Sequence, residues 1–237
     1  FLISVVVARI FPQVILPLFF KSMPLESGPL RERLTAFLVS ENIRLKDIRV
    51  LDFSKKTVKA NAMVAGLGRT KQIFLTDTLI RDFSVDEVLQ VLAHEAGHWQ
   101  HGDIRKLALA GLAGSLVCFY AAAQVFAAAA DSAGLAGASD ITGLPLLLLL
   151  FLGIGLVLLP FQNGYARRLE RAADRYALGQ TGQPDAFISM MRRLADKNLA
   201  DPAPPRWARI FLDDHPPIHQ RIAMAQRFKN EAVAGDI

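Results

Sequence analysis

The sequence holds a single cysteine, Cys118. No disulfide can close within the chain, and any metal it binds must be held by other side chains. Tryptophan and tyrosine are scarce, at 2 and 3 residues. The net charge of +5 therefore comes without aromatics interleaved among the basic residues, which argues against a nucleic-acid surface. The chain opens on Phe1 instead of Met, inside a mostly apolar stretch, so a fragment of a longer protein is expected. No charged n-region and no small-residue cleavage site accompany that stretch, and it does not read as a signal peptide. Internal repeats are absent.

Charge is missing altogether from two longer stretches. Residues 107–130 and 141–161 contain no Asp, Glu, Lys or Arg. A helix of about 20 apolar residues crosses a hydrocarbon core of about 30 Å, so both qualify as membrane spans. The Leu-rich second run has no polar face to show to water. With 52% hydrophobic residues and a mean hydropathy of +0.28, the chain reads as an integral, multi-pass membrane protein whose partner is the bilayer. The link 131–140 has no Lys or Arg, whereas residues 31–81 hold eleven and residues 164–230 hold twelve. Positive charge stays on the cytoplasmic side, so both flanking regions are expected in the cytoplasm. Residues 1–20 read as the end of a further transmembrane helix, interrupted by Arg9, Pro12 and Pro17.

Between that end and the first span, Leu30, Leu34, Phe37 and Leu38 follow helical spacing behind Pro29. "IRVLDFS", "TVKANAMVAG" and "KQIFLTDTLI" are short, rich in β-formers and divided by Gly66 and Gly68. They predict a small antiparallel sheet. Ser84 and Glu87 then stand in capping-box spacing before an apolar periodicity, which starts a helix through "VLAHEAGHW".

On that helix His94 and His98 are four residues apart and project from one face, so both imidazoles can reach one zinc ion. Glu95 lies about 100° around the helix, beside the metal, where it can take a proton from the attacking water. A catalytic zinc needs a third protein ligand and an open position. His101 is too far along the same helix to converge with the other two. Past the spans, "ERAAD" places Glu170 and Asp174 four apart on a predicted helix. Glu170 suits a third ligand and Asp174 a hydrogen-bond partner for a ligating histidine. The same spacing fits an ordinary surface helix with Arg167, Arg171 and Arg175 as ion-pair partners, and spacing alone leaves the two equal. In "DDHPPIHQRI", Pro216 and Pro217 hold His215 at a rigid helix entrance, a position suited to an oxyanion donor; a simple turn before a surface helix is the alternative.

HEAGHW, ERAAD and DHPPIHQR, together with NAMVAGLGRTKQIFLTDTLI, resemble the integral-membrane zinc peptidases of the type I CaaX prenyl protease family, over nearly the whole chain. The resemblance implies a mostly α fold with a small antiparallel β-sheet. It further implies a zincin-type domain of the gluzincin class interrupted by two transmembrane helices. The first half of that domain would occupy 21–106, the spans 107–161 and the second half 162–237. It implies one Zn2+ on His94, His98 and Glu170, with Glu95 as general base and Asp174 supporting the site. His215 and Arg221 would assist the transition state, and Asn61 and Ala62 would pair with the backbone of a peptide or protein substrate. HtpX-like membrane proteases share the zinc motif, and the NAMVAGLGRTKQIFLTDTLI block favours the prenyl protease side. Whether substrates are prenylated does not follow from these residues. A membrane module that binds polypeptides without hydrolysing them is the remaining alternative, and the intact Glu95 argues against it.

Overall fold

The computed structural model describes residues 16–65, 71–130, 132–136, 140–199, 201 and 203–235. The expected end of a transmembrane helix at 1–20 lies for its first fifteen residues, Arg9 and Pro12 among them, outside the described part. Residues 16–19 form a short helix, α1 (Leu16–Phe19).

The described chain divides into two compact units. One comprises Ile104–Arg168 and Pro205–His215. The other comprises the residues up to Asp103, Leu169–Pro204 and the residues from Pro216 onward. The second unit carries all four strands: β1 (Ser22–Pro24), β2 (Asp47–Leu51), β3 (Ala62–Ala65) and β4 (Gln72–Thr76). Around them are α2 (Pro29–Ser40), α3 (Asp77–Asp82), α4 (Val85–His101), α7 (Pro184–Asn198) and α9 (Ile218–Gly235). The sheet order is β1-β2-β4-β3.

The sheet corrects the antiparallel expectation. β1 pairs with β2 and β3 with β4 in antiparallel fashion, but β2 and β4 run parallel, Asp47 opposite Gln72 through Leu51 opposite Thr76. The cause is that β4 turns back from β3 and inserts between it and β2, so β3 is pushed to the edge. A parallel neighbour needs a long connection, and here β3 itself is part of that connection. Alternation along β4 sends Ile73 and Leu75 into the main core and Phe74 to a smaller cluster with Leu51 and Ala65. The main core joins Leu34 and Leu38 of α2, Leu79 of α3 and Leu92 of α4 to Phe187 and Met191 of α7.

α4 is a 17-residue helix whose ends are both specified in the sequence. Ser84 Oγ accepts from the Glu87 backbone N–H at 3.3 Å, and Glu87 Oε2 accepts from the Ser84 N–H at 2.7 Å, the reciprocal capping box. The helix stops at Gly102, whose φ of 66° is a left-handed conformation that glycine adopts without strain.

The other unit is built on α5 (Asp103–Ala130), the long helix α6 (Leu144–Thr181) and the short α8 (Arg206–Phe211). The apolar windows of α5 and α6 hold almost no buried residues, as lipid-facing helices require. They touch through Phe119 and Phe151, ring centroids 5.2 Å apart. α6 runs unbroken for 38 residues through Pro160 and on through the ERAAD stretch, so the second span and the carboxylate pair share one helix.

Candidate active site

All the residues that meet at the site lie in the sheet-containing unit. α4 contributes His94, Glu95 and His98, the C-terminal part of α6 contributes Glu170 and Asp174, and α9 contributes Arg221. Gly97 brings the first two helices together. A Cβ built there would stand 3.0 Å from Ala173 Cα and 3.2 Å from Ala173 O, so only glycine permits this approach of the two backbones. Ala173 and Ala177, on the facing side of α6, are fully buried.

The consequence is a tight triangle. His94 Nε2 and His98 Nε2 are 3.2 Å apart. Glu170 Oε2 lies 3.3 Å from His94 Nε2, and Glu170 Oε1 lies 3.1 Å from His98 Nε2. Four tetrahedral ligands about 2.1 Å from one ion stand about 3.4 Å from each other, so the donor set fits a single small cation. The outer nitrogens are committed elsewhere. His94 Nδ1 donates to Asp174 Oδ1 at 2.9 Å, and His98 Nδ1 donates to Asp103 Oδ2 at 2.9 Å. In the neutral imidazoles each Nε2 is thereby the lone-pair nitrogen facing the triangle.

The charges agree with the geometry. Burial pulls the His94 pKa down, but Asp174 and Glu170 outweigh it and hold the pKa at about 9. His98 is also raised, burial and His94 being outweighed by Glu170 and Asp103. Without a metal each imidazole is thus held in its protonated form by the carboxylates around it, and a cation in the triangle would displace the Nε2 protons. Arg221 balances the far side: its Nε donates to Asp174 Oδ2 at 2.7 Å, its Nη2 donates to Asp174 Oδ1, and Nη2 stands 3.4 Å from His94 Nδ1. Arg221 is placed by Pro217, whose carbonyl accepts from the Arg221 N–H at 3.2 Å in the first turn of α9.

The structure therefore brings His94, His98, Glu170, Asp174 and Arg221 together, with Glu95 half-buried on the next position of α4. Ala62 opens the edge strand β3, which packs against α4, and Asn61 immediately precedes it. Asn61 O accepts from the Thr76 N–H at 3.0 Å. His215 belongs to the other unit, where it is exposed and 2.6 Å from Asp214. His101 packs edge-on against Tyr176, ring centroids 5.7 Å apart, and takes no part in the triangle. Asp103 was not among the residues expected. It is almost fully buried, and the signal for it is the left-handed Gly102, which turns the chain so that the first residue of α5 points back at His98.

The family model described as Peptidase family M48 matches residues 24–229. An uncharacterised metalloprotease of Bacillus subtilis, YhfN, is 32% identical over 92% of this chain and 52% of that protein. A CAAX prenyl protease 1 homolog of Oryza sativa subsp. japonica is 30% identical over 94% of this chain and 53% of that protein. The crystal structure of S. mikatae Ste24p superimposes with a TM-score of 0.82 at 26% identity, covering 94% of this chain and 56% of that one. The chain spans about half the length of the curated relatives it matches.

Proposed function

The chain belongs to peptidase family M48, and from that premise we propose that it is the zinc-dependent part of an integral-membrane endopeptidase of the CaaX prenyl protease type. The observation that carries the reading is the triangle of His94 Nε2, His98 Nε2 and a Glu170 oxygen, with edges of 3.1–3.3 Å. A zinc ion held there supplies Lewis acidity toward the scissile carbonyl and the attacking water. Glu95 takes the proton of that water and returns it to the leaving amine nitrogen. Asp174 and Asp103 hold the Nδ1 protons, fixing both imidazoles in the tautomer that leaves Nε2 free to ligate. Arg221 keeps Asp174 ionised, and the resemblance assigns it, with His215, the role of taking up negative charge on the tetrahedral carbonyl oxygen. The outer edge of β3 at Ala62, with Asn61 just before it, pairs with the backbone of an extended peptide. The eleven and twelve basic residues on either side of the spans support a cytoplasmic position for both flanking regions.

The similarity to a bacterial protein named only as a metalloprotease favours a second reading, in which the substrates are membrane polypeptides without a prenyl group. One experiment separates the two. A farnesylated C-terminal CaaX peptide and its unprenylated copy are offered to the full-length protein in lipid, with and without chelator, beside Glu95→Gln. We expect chelator-sensitive cleavage of the farnesylated peptide, reduced by about 10²–10⁴ in Glu95→Gln. Equal cleavage of both peptides would select the second reading. Undiminished cleavage by Glu95→Gln would sink both.

A further inference from the structure

Pro205–His215 belongs to the same compact unit as the two apolar helices, and it is fastened side-on to α6. Asn163 Nδ2 donates to Phe211 O at 2.8 Å. Arg167 Nη1 donates to Arg209 O at 2.7 Å and also to Asp213 O. These bonds set the height of α8. The apolar run of α6 closes at Phe161, and Asn163 and Arg167 lie two and six residues further, which is about 3 Å and 9 Å along the axis at ~1.5 Å per residue. The polar headgroup layer begins where the hydrocarbon ends and is about 5–7 Å deep on each face, so α8 is held at its level.

At that level α8 turns outward what a water-facing helix would hide. Trp207 is 63% exposed, Leu212 65% and Phe211 40%, and Phe161 at the close of the apolar run is 72% exposed. Trp207 and Phe211 are one helical turn apart, and Arg206 and Arg209 supply the positive charge that suits lipid phosphates. An indole with its ring in the acyl boundary and its N–H among headgroups is the preferred tenant of this layer.

We propose that α8 is an interfacial membrane anchor, with Trp207, Phe211 and Leu212 inserted at the headgroup–acyl boundary and Arg206 among the phosphates. Continuity with the lipid-facing surface of α6 decides for lipid over a protein partner. Asp213, Asp214 and His215 follow α8 directly, so the anchor fixes their height at the membrane face. The inference rests on α5 and α6 being membrane spans.

The test uses the full-length protein in lipid nanodiscs, in a Cys118→Ala background, with nitroxide labels at Trp207→Cys, Phe211→Cys and Leu212→Cys. Leu149→Cys, in the middle of the second apolar run, and Asp196→Cys, exposed on α7, are the references. Collision with oxygen and with a water-soluble nickel chelate is measured at each. We expect the oxygen-to-nickel ratio at 207, 211 and 212 to lie several-fold above that at 196 and below that at 149. A ratio equal to that at 196 overturns the anchor, and shielding from both reagents overturns it in favour of a covering protein segment. An aqueous ratio at 149 overturns the membrane spans themselves, a failure distinct from that of α8. In the unlabelled protein, lipids brominated near the carboxyl end of their chains should quench a component of the tryptophan emission that Trp207→Phe lacks. Equal quenching in both proteins would count against the anchor.

Discussion

A ligating imidazole has two nitrogens, and in this site both histidines give the outer one to a buried carboxylate. The two carboxylates differ in company. Asp174 is shared with Arg221, whereas Asp103 serves His98 across the Gly102 turn. Asp103→Asn is therefore the cleaner probe, since an amide oxygen can still accept the His98 Nδ1 proton but brings no charge. We expect zinc affinity to fall about 10–100-fold, the usual effect of removing such a partner, read by competition against a chelating dye. An unchanged affinity would take Asp103 out of the site. The His94 proton gives a second prediction. Its pKa of about 9 lies above the ordinary 6.5, so in chelated protein its contribution to stability is complete below pH 6.5 and is lost as pH rises through about 9. Zinc takes the place of that proton, and zinc-loaded protein escapes the loss. The difference in Tm between loaded and chelated protein should widen from pH 6.5 to 9; a constant or narrowing gap would contradict the raised His94 pKa.

Helices α4 and α6 meet where Gly97 lies against Ala173, and this contact sets the span of the metal triangle. Gly97→Ala must push α4 and α6 apart by a few tenths of an ångström. We expect a loss of about 1–3 kcal/mol in stability, seen in chemical denaturation, together with weaker zinc binding. Wild-type affinity in this variant would show that the triangle tolerates a wider spacing. At the start of α4, Ser84→Ala removes one half of the capping box and should cost about 1 kcal/mol with no effect on zinc affinity. These two positions also mark how far the sequence could be read. The Ser84–Glu87 signal and the His94–His98 spacing are local, and a local signal survives without knowledge of the fold. The course of β4 is not local. Residues 47–51 and 72–76 each read as a plausible strand, but the choice of β2 as the parallel neighbour of β4 is made by the core beneath them. Asp103 was hidden for the same kind of reason: its role depends on one left-handed glycine, and five residues of separation from His98 is no helical spacing. Glu170 lay between, since its type and its partner four residues on were visible, while its meeting with His94 depends on a distant glycine.

At the scale of the molecule, the ligands come from helices that the two apolar spans separate in sequence. In the proposed site, metal loading would therefore tie the segment before the spans to the segment after them, and its effect should reach well past the site. With zinc at 1,000 times its dissociation constant the gain in stability is about 4 kcal/mol, and chelation should lower the Tm accordingly. Limited proteolysis should sharpen the point, because chelation should speed cutting in both halves together. Accelerated cutting in only one half would mean that the ion is held by that half alone.

The chain order that puts residues 104–168 between Asp103 and Leu169 also imposes a schedule on synthesis. When the ribosome has delivered HEAGH, the protein has the proposed general base and two imidazoles but not the third member of the triangle. Glu170 follows only after both spans have been made, roughly 4–14 s later at ~5–20 residues per second. On the proposed function, the nascent chain thus passes the insertion machinery unarmed, and the ability to cut polypeptide would arrive only once both spans have been synthesised.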